Sequence, residues 1–264
     1  MHYNRLSIAM ILVVDIGNTN IVFGLYKNDD LSGILRVETD LSMSAKGYAD
    51  KLLVFLESEQ VSVPKLNGSI IASVVPEIDE VIKEACRAIL NSEPVYVSHR
   101  IDLGLKISYD NPGHVGTDRL VNAVAAFEKY KQAVIIIDLG TATTFDCVTA
   151  EGEYLGGAIS PGLKISAEAL FKKASKLPRV DLASPDKVIC TDTVTNMQSG
   201  ILFGYAGLVD GLVNRMKKEM GSEPFVVATG GLASLILPLS DTVDAVYEYL
   251  TLYGLKIIFE RNKR

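Results

Sequence analysis

The chain has 264 residues, 48% of them hydrophobic and 22% charged, with a formal net charge of −6. That length accommodates one large or two moderate domains with a substantial core, and the acidic balance leaves no basic field for nucleic acid or an anionic membrane. No apolar run approaches the roughly 18 residues of a membrane span, so no transmembrane helix is expected.

The chain opens on Met1–Ala9, which has no periodicity and stops just before Met10. Residues 1–9 are expected to be a disordered extension, with translation beginning at Met10. The apolar run after Arg5 is short and ends in Asp15 without a small-residue cleavage site, unlike a signal peptide. Strands are predicted over Ile11–Ile16 and Ile21–Tyr26, then a turn KNDDLSG and a third strand Ile34–Thr39. A helix over Ser44–Glu59 carries Tyr48, Leu52, Phe55 and Leu56 at helical spacing. SIIASVV is a buried strand, Pro76 opens the helix PEIDEVIKEACRAILN, and PVYVS is a fifth strand.

The second half follows the same plan. Val134–Asp138 and Thr144–Val148 are strands, AEGE is a turn, and Tyr154–Ile159 is a third strand. A helix starts at Leu163, and a longer one over Thr193–Met220 places Met197, Ile201, Tyr205, Leu208, Leu212 and Met216 along one face. FVVATGGLASLI is a strand, a Gly pair and a helix start; LTLYGLKIIFE is the last helix. Three meandering strands followed by αβα, twice over, is an α/β layout of two duplicated ribonuclease H-like domains. This is the actin-like ATPase fold, with the active site expected in the cleft. The domains are placed at residues 1–116 and 117–264.

Within that plan one phrase occurs twice. ILVVDIGNTNIVFGLY and VIIIDLGTATTFDCV each run as an apolar strand into Asp-x-Gly, turn, and resume as a strand. Asp15 and Asp138 are thus about one small domain apart. Gly17 and Gly140 let a phosphate approach the main chain. Asn18, Thr19 and Asn20 in one copy, and Thr141, Thr143 and Thr144 in the other, add donors to a row of backbone N–H groups. The two aspartates would repel a phosphate unless each holds a cation between itself and the anion. No GxxxxGK(S/T) or GxGxxG is present, so this is neither a P-loop nor a dinucleotide turn. A hairpin turn is the alternative reading of either copy alone.

Between the halves lies YDNPGHVGTDRLVNAVAA. Pro112, Gly113 and Gly116 enforce turns, and a helix runs from Leu120, which puts Asp118 and Arg119 near its N-terminus. Asp118 reads either as a helix-start residue or as a general base beside a guanidinium suited to a carboxylate or phosphate. His114 is the weaker candidate base, since a lone loop histidine is usually solvated. Cys86, Cys147 and Cys190 match no metal or redox spacing, and His2, His99 and His114 are too scattered for a ligand set.

DIGNTN, NPGHVGTDR, DLGTATTFD, GGAISPG and MQSGI, in this order and spacing, resemble type III pantothenate kinases across nearly the whole chain from Met10. The resemblance implies transfer of phosphate from ATP to pantothenate to give 4'-phosphopantothenate, the first step of coenzyme A synthesis. It implies a cytoplasmic homodimer using Mg2+ and a monovalent cation, K+ or NH4+, with no nucleic acid or membrane partner. Asp15, Ile16, Gly17, Asn18, Thr19, Asn20, Ile21 and Val22 would form the first ATP loop, with Asp15 near magnesium, and Thr141 would meet the ATP phosphates. Asp138 would bind the monovalent cation. Tyr109, Gly116, Thr117, Asp118 and Arg119 would hold pantothenate, with Asp118 as catalytic base. Thr193 would reach it from the other subunit, placing the site at the dimer interface. Thr117 and His114 depart from the family pattern, which usually has Ala and an acid there. An actin-like filament ATPase, a non-catalytic relative and a kinase for another small hydroxy acid remain as rival readings.

Overall fold

The computed structural model describes residues 10–263; the expected extension, residues 1–9, lies outside the described residues. Strands β1 (Met10–Ile16), β2 (Asn20–Lys27) and β3 (Asp30–Glu38) form an antiparallel meander, followed by α1 (Ala45–Ser58), β4 (Leu66–Ser73), α2 (Pro76–Leu90) and β5 (Val95–Tyr96). The sheet order is β3-β2-β1-β4-β5, with β4 and β5 parallel to β1. Next come β6 (Lys106–Ile107), α3 (Thr117–Tyr130), β7 (Val134–Leu139), β8 (Ala142–Val148) and β9 (Glu153–Pro161). The chain ends with α4 (Leu163–Lys173), α5 (Thr193–Met220), β10 (Phe225–Thr229), α6 (Ala233–Ile236), β11 (Ala245–Val246) and α7 (Leu250–Arg261). Their sheet runs β11-β10-β7-β8-β9-β6, which is the first order repeated with β6 added at the edge.

The central strands explain the duplication. In β1 and β7 every residue is buried except the aspartate, as expected of strands covered on both faces. One face of the first sheet packs Leu12, Val14, Phe23 and Ile71 against Leu52 and Leu56 of α1 and Ile78 and Ile82 of α2. In the second, Ile135, Ile137 and Phe145 meet Leu202, Val209 and Val213 of α5. The helix ends are fixed locally. Ser44 accepts from Gly47 N ahead of α1, Asp192 accepts from Thr195 N ahead of α5, and left-handed Asn91 and Gly221 close α2 and α5. Cys86 and Cys147 are buried and form no disulfide, and burial pushes the Cys86 thiol up to about 12, which leaves it inert.

Several elements differ from expectation. β3 starts at Asp30 because only Asn28, at φ 55°, and Asp29 make the turn; its polar start is tolerated on an exposed edge strand. α3 starts at Thr117, and the two-residue strands β6 and β11 have no hydrophobic period to betray them.

The chain forms two compact units that are discontinuous in sequence, whereas the sequence reading placed one boundary at 116/117. The first holds residues 10–104, 113–125 and 251–263; the second holds 105–112 and 126–250. The return of the C-terminus to the first unit has visible causes. A Cβ on Gly24 would lie 3.0 Å from Leu252, one on Gly68 would lie 2.8 Å from the Phe259 ring, and Lys256, 5% exposed, bonds Asp29 at 2.5 Å. At Gly254 a Cβ would strike the Val121 carbonyl of α3 and sit 2.7 Å from its Cγ1. Gly254→Ala should therefore cost about 1–3 kcal/mol by overpacking, measured as a lowered denaturation midpoint.

Candidate active site

β1 delivers Asp15 half-buried to the end of the first sheet, opposite Val22 on β2 and Ala72 on β4. Beyond it, Gly17 N donates to Asn20 O at 3.0 Å and closes the turn. Thr39, just past β3, clamps this loop: its Oγ1 donates to Gly17 O at 2.6 Å and its N to Thr19 O at 3.0 Å. Thr39 was missed by the sequence, where only its place as the last polar residue of a strand marked it. Within the loop, Ile16, Ile21 and Val22 are core side chains and can offer a ligand only their main chain. Asp15, Gly17, Asn18, Thr19 and Asn20 remain at least partly accessible.

The second loop is built alike. Asp138 is half-buried at the end of β7, opposite Thr144 on β8 and Thr229 on β10, and Gly140 N donates to Ala142 O at 3.1 Å. Gly230, at φ +90°, comes so near that a Cβ there would lie 2.7 Å from Asp138 Oδ1 and 2.8 Å from Leu139 O. A Cβ on Gly140 would lie 3.5 Å from the same carboxylate oxygen. The carboxylate thus sits in a cradle kept open by two glycines, which suits a cation or phosphate approaching main chain. Among the described residues no cluster of three or more His, Cys, Asp or Glu could hold a metal ion alone. A cation at Asp138 or Asp15 would therefore need main-chain, water or phosphate oxygens to complete its shell. Thr141 is exposed, in keeping with a phosphate contact. Thr143 is not: it is fully buried against the Tyr205 hydroxyl, which also reaches Pro161 O at 3.0 Å.

Asp118 sits in the first turn of α3. Its Oδ1 accepts from Arg119 N at 2.7 Å and hangs over Gly116, where a Cβ would lie 2.6 Å from it. Burial pushes its carboxyl above the usual aspartate range, overcoming the opposing pull of the Arg119 amide and guanidinium. The start of α3 is tied to the first sheet by Thr117. Its hydroxyl donates to Ser73 O at 2.8 Å and accepts from Ser73 N at 3.1 Å, and Ser73 is the parallel neighbour of Ile16. Asp118 is thereby held within the unit that carries Asp15. Arg119 is buried, and His114 is exposed on the 3-10 turn Pro112–His114.

Tyr109 and Thr193 belong to the second unit. Tyr109 is partly exposed, with its ring 6.4 Å from that of Tyr154. Thr193 is the exposed first residue of α5 and lines a cavity of about 740 Å³ with Ser160, Pro161, Leu170, Asn196 and Gly200.

The model of one family, type III pantothenate kinase, matches residues 11–215. The chain belongs to the type III pantothenate kinase family. It is 52% identical to the type III pantothenate kinase of Citrifermentans bemidjiense and 50% identical to that of Geobacter sulfurreducens, in each case over 96% of this chain and all of the relative. Among solved structures it is similar to a ROK family glucokinase from Streptomyces griseus, at 12% identity and TM-score 0.58, covering 96% of this chain and all of that one. It is also similar to component A of (R)-2-hydroxyglutaryl-CoA dehydratase from Acidaminococcus fermentans, at 15% identity and TM-score 0.55, covering 94% and 95%. These two likenesses concern the fold, an actin-like α/β architecture. As a pantothenate kinase family member the protein is an enzyme that transfers phosphate.

The paired glycines give a sharp contrast in this kinase. Gly230→Ala should abolish most turnover because the backbone is left-handed and the new methyl meets Asp138. Gly231→Ala has nothing within 4 Å of its Cβ and should keep normal steady-state rates. Thr117→Val, which cuts both bonds to Ser73, should lower kcat about tenfold, and Thr117→Ser should restore it, since two neutral hydrogen bonds contribute roughly 1–3 kcal/mol.

Proposed function

We propose that the enzyme phosphorylates pantothenate with ATP to 4'-phosphopantothenate, in the first step of coenzyme A biosynthesis, with Asp118 as general base. The observation carrying this reading is Asp118 itself: half-buried, raised by desolvation, poised over Gly116 and anchored beside the Asp15 loop. A carboxylate with a raised pKa takes a hydroxyl proton more readily than an exposed one. The names of the relatives supply the substrate, and the chemistry of Arg119 supports it, since a guanidinium binds the carboxylate of pantothenate in two-pronged fashion.

In this reading the hydroxyl of pantothenate lies against Asp118, which accepts its proton as the oxygen attacks the γ-phosphorus and the bond to the β,γ-bridging oxygen breaks, releasing ADP. Tyr109, Gly116, Thr117 and Arg119 hold the acid, with Thr117 acting through its main chain because its hydroxyl is engaged by Ser73. Amides and side chains of the Asp15–Val22 loop and Thr141 bind the phosphates. Phosphoryl transfer passes through a loose transition state that needs positioning and charge neutralisation more than covalent help. Magnesium near Asp15 and potassium or ammonium at Asp138 would supply part of that neutralising charge.

We further read the protein as a cytoplasmic homodimer in which Thr193 of one subunit completes the site of the other. Support comes from apolar side chains left in the open around Thr193: Val194 beside it at 42% exposure, Ile189 four residues before it at 82%, and Leu170, which lines the same cavity, at 39%. No described helix is long and apolar enough to cross a membrane.

A coupled assay tests this: ATP consumption should require pantothenate and rise with potassium. Asp118→Asn should lose about 10²–10⁴-fold in kcat, the usual worth of a general base, and near-normal turnover would remove the assignment. Wild-type kcat should fall on acidification along a limb above the ~3.9 of an ordinary aspartate, because protonated Asp118 is not a base. The same shift has a stability consequence. The folded state keeps the Asp118 proton to higher pH than the unfolded chain, so ionising it costs stability as pH rises. Asp118→Asn should thus melt no lower than wild type at neutral pH.

A further inference from the structure

Asp146 is a buried carboxylate, 1% exposed, that the proposed chemistry does not use. It lies on β8 between Phe145 and Cys147, both of which face the α5 core. Strand alternation turns Asp146 to the opposite face, which it shares with Thr144 and, across the strand pair, with Asp138. Its Oδ1 accepts from the Tyr154 hydroxyl at 2.6 Å and its Oδ2 from Thr144 Oγ1 at 3.3 Å.

Tyr154 reaches that face only through a bulge. Cys147 pairs with Gly156 and Val148 with Tyr154, so Leu155 is the extra residue and Gly156 takes φ +96°. Strict alternation would have sent Tyr154 the other way. The fully buried Tyr154 ring then stands beside Tyr109. β6 runs along β9 with Ile107 opposite Tyr154, Ser108 N donates to Tyr154 O at 2.9 Å, and the two rings lie 6.4 Å apart at 45°. The Tyr109 ring lies where Gly156 has no Cβ, which would be 3.0 Å from its Cε2.

We propose that Asp146 and Tyr154 are positioning residues that set the Tyr109 ring for the acyl substrate and connect it, through Thr144, to the strand end carrying Asp138. An apolar pair of the same volume would pack this site without desolvating a carboxylate. The hydroxyl–carboxylate bond instead fixes one orientation of Tyr154, and with it the surface against which Tyr109 rests. The inference depends on the assignment of Tyr109 to pantothenate.

The test compares Tyr154→Phe, Asp146→Asn and Tyr109→Leu, reading KM for pantothenate, KM for ATP, kcat and melting temperature on the full-length enzyme. Tyr154→Phe should raise KM for pantothenate about tenfold, the scale of one lost charge-assisted hydrogen bond, and leave KM for ATP within about twofold. Asp146→Asn keeps an acceptor for Tyr154 and offers a donor to Thr144, so its pantothenate KM should stay within about threefold of wild type. Tyr109→Leu should raise pantothenate KM at least as far as Tyr154→Phe. A Tyr154→Phe enzyme with normal pantothenate KM, while Tyr109→Leu has lost it, overturns the positioning role alone. Equal loss of both substrates with a lowered melting temperature overturns it too, as the pair would then be only structural. Normal pantothenate KM in Tyr109→Leu removes the Tyr109 assignment and the positioning role together.

Discussion

A carboxylate at the end of a strand buried on both faces must be hydrated, paired or neutralised, and both sheets are built around such a strand. In β1 and β7 the apolar run has no exposed residue before its aspartate. Folding therefore carries Asp15 and Asp138 to sheet ends that close in glycine turns, with Gly17 N bonded to Asn20 O and Gly140 N to Ala142 O. Placing charge there costs desolvation, which polar partners must offset.

The rest of the candidate site is attached to those strand ends by short polar links. Thr39 clamps the first loop through the carbonyls of Gly17 and Thr19. Thr117 ties α3 to Ser73 and so places Asp118 in register with β1. Gly230 closes on Asp138. None of these contacts is energetically large, yet each restricts where its loop or helix end can lie, and phosphoryl transfer depends on positioning. Asp118 itself is held at a cost: burial raises its pKa against the attraction of Arg119.

Much of this was legible in the chain. The two Asp-x-Gly phrases are strong because a β-branched run and a glycine turn are local signals. The span of α5 was legible from its apolar face, and the structure shows Asp192 capping its start and Gly221 its end. Thr143 was grouped with the phosphate donors, although alternation along β8 sends it into the core toward Tyr205. The tie between Thr117 and Ser73, and the bulge at Leu155, left no local trace, since both depend on partners far away in sequence or on an irregular register.

The sequence by itself determined the two sheet cores, the two glycine turns at their strand ends and the family to which the chain belongs, because these follow from hydrophobic period, glycine and motif order. Only the tertiary structure decided which polar residues stay accessible and which are packed away. It returned the last helix to the first unit through Gly254 and Lys256, gave the Thr117 hydroxyl to Ser73, and turned Tyr154 toward Asp146. The reason is physical. A side chain's facing depends on strand pairing and bulges, and its protonation depends on burial, and neither exists until distant segments have met.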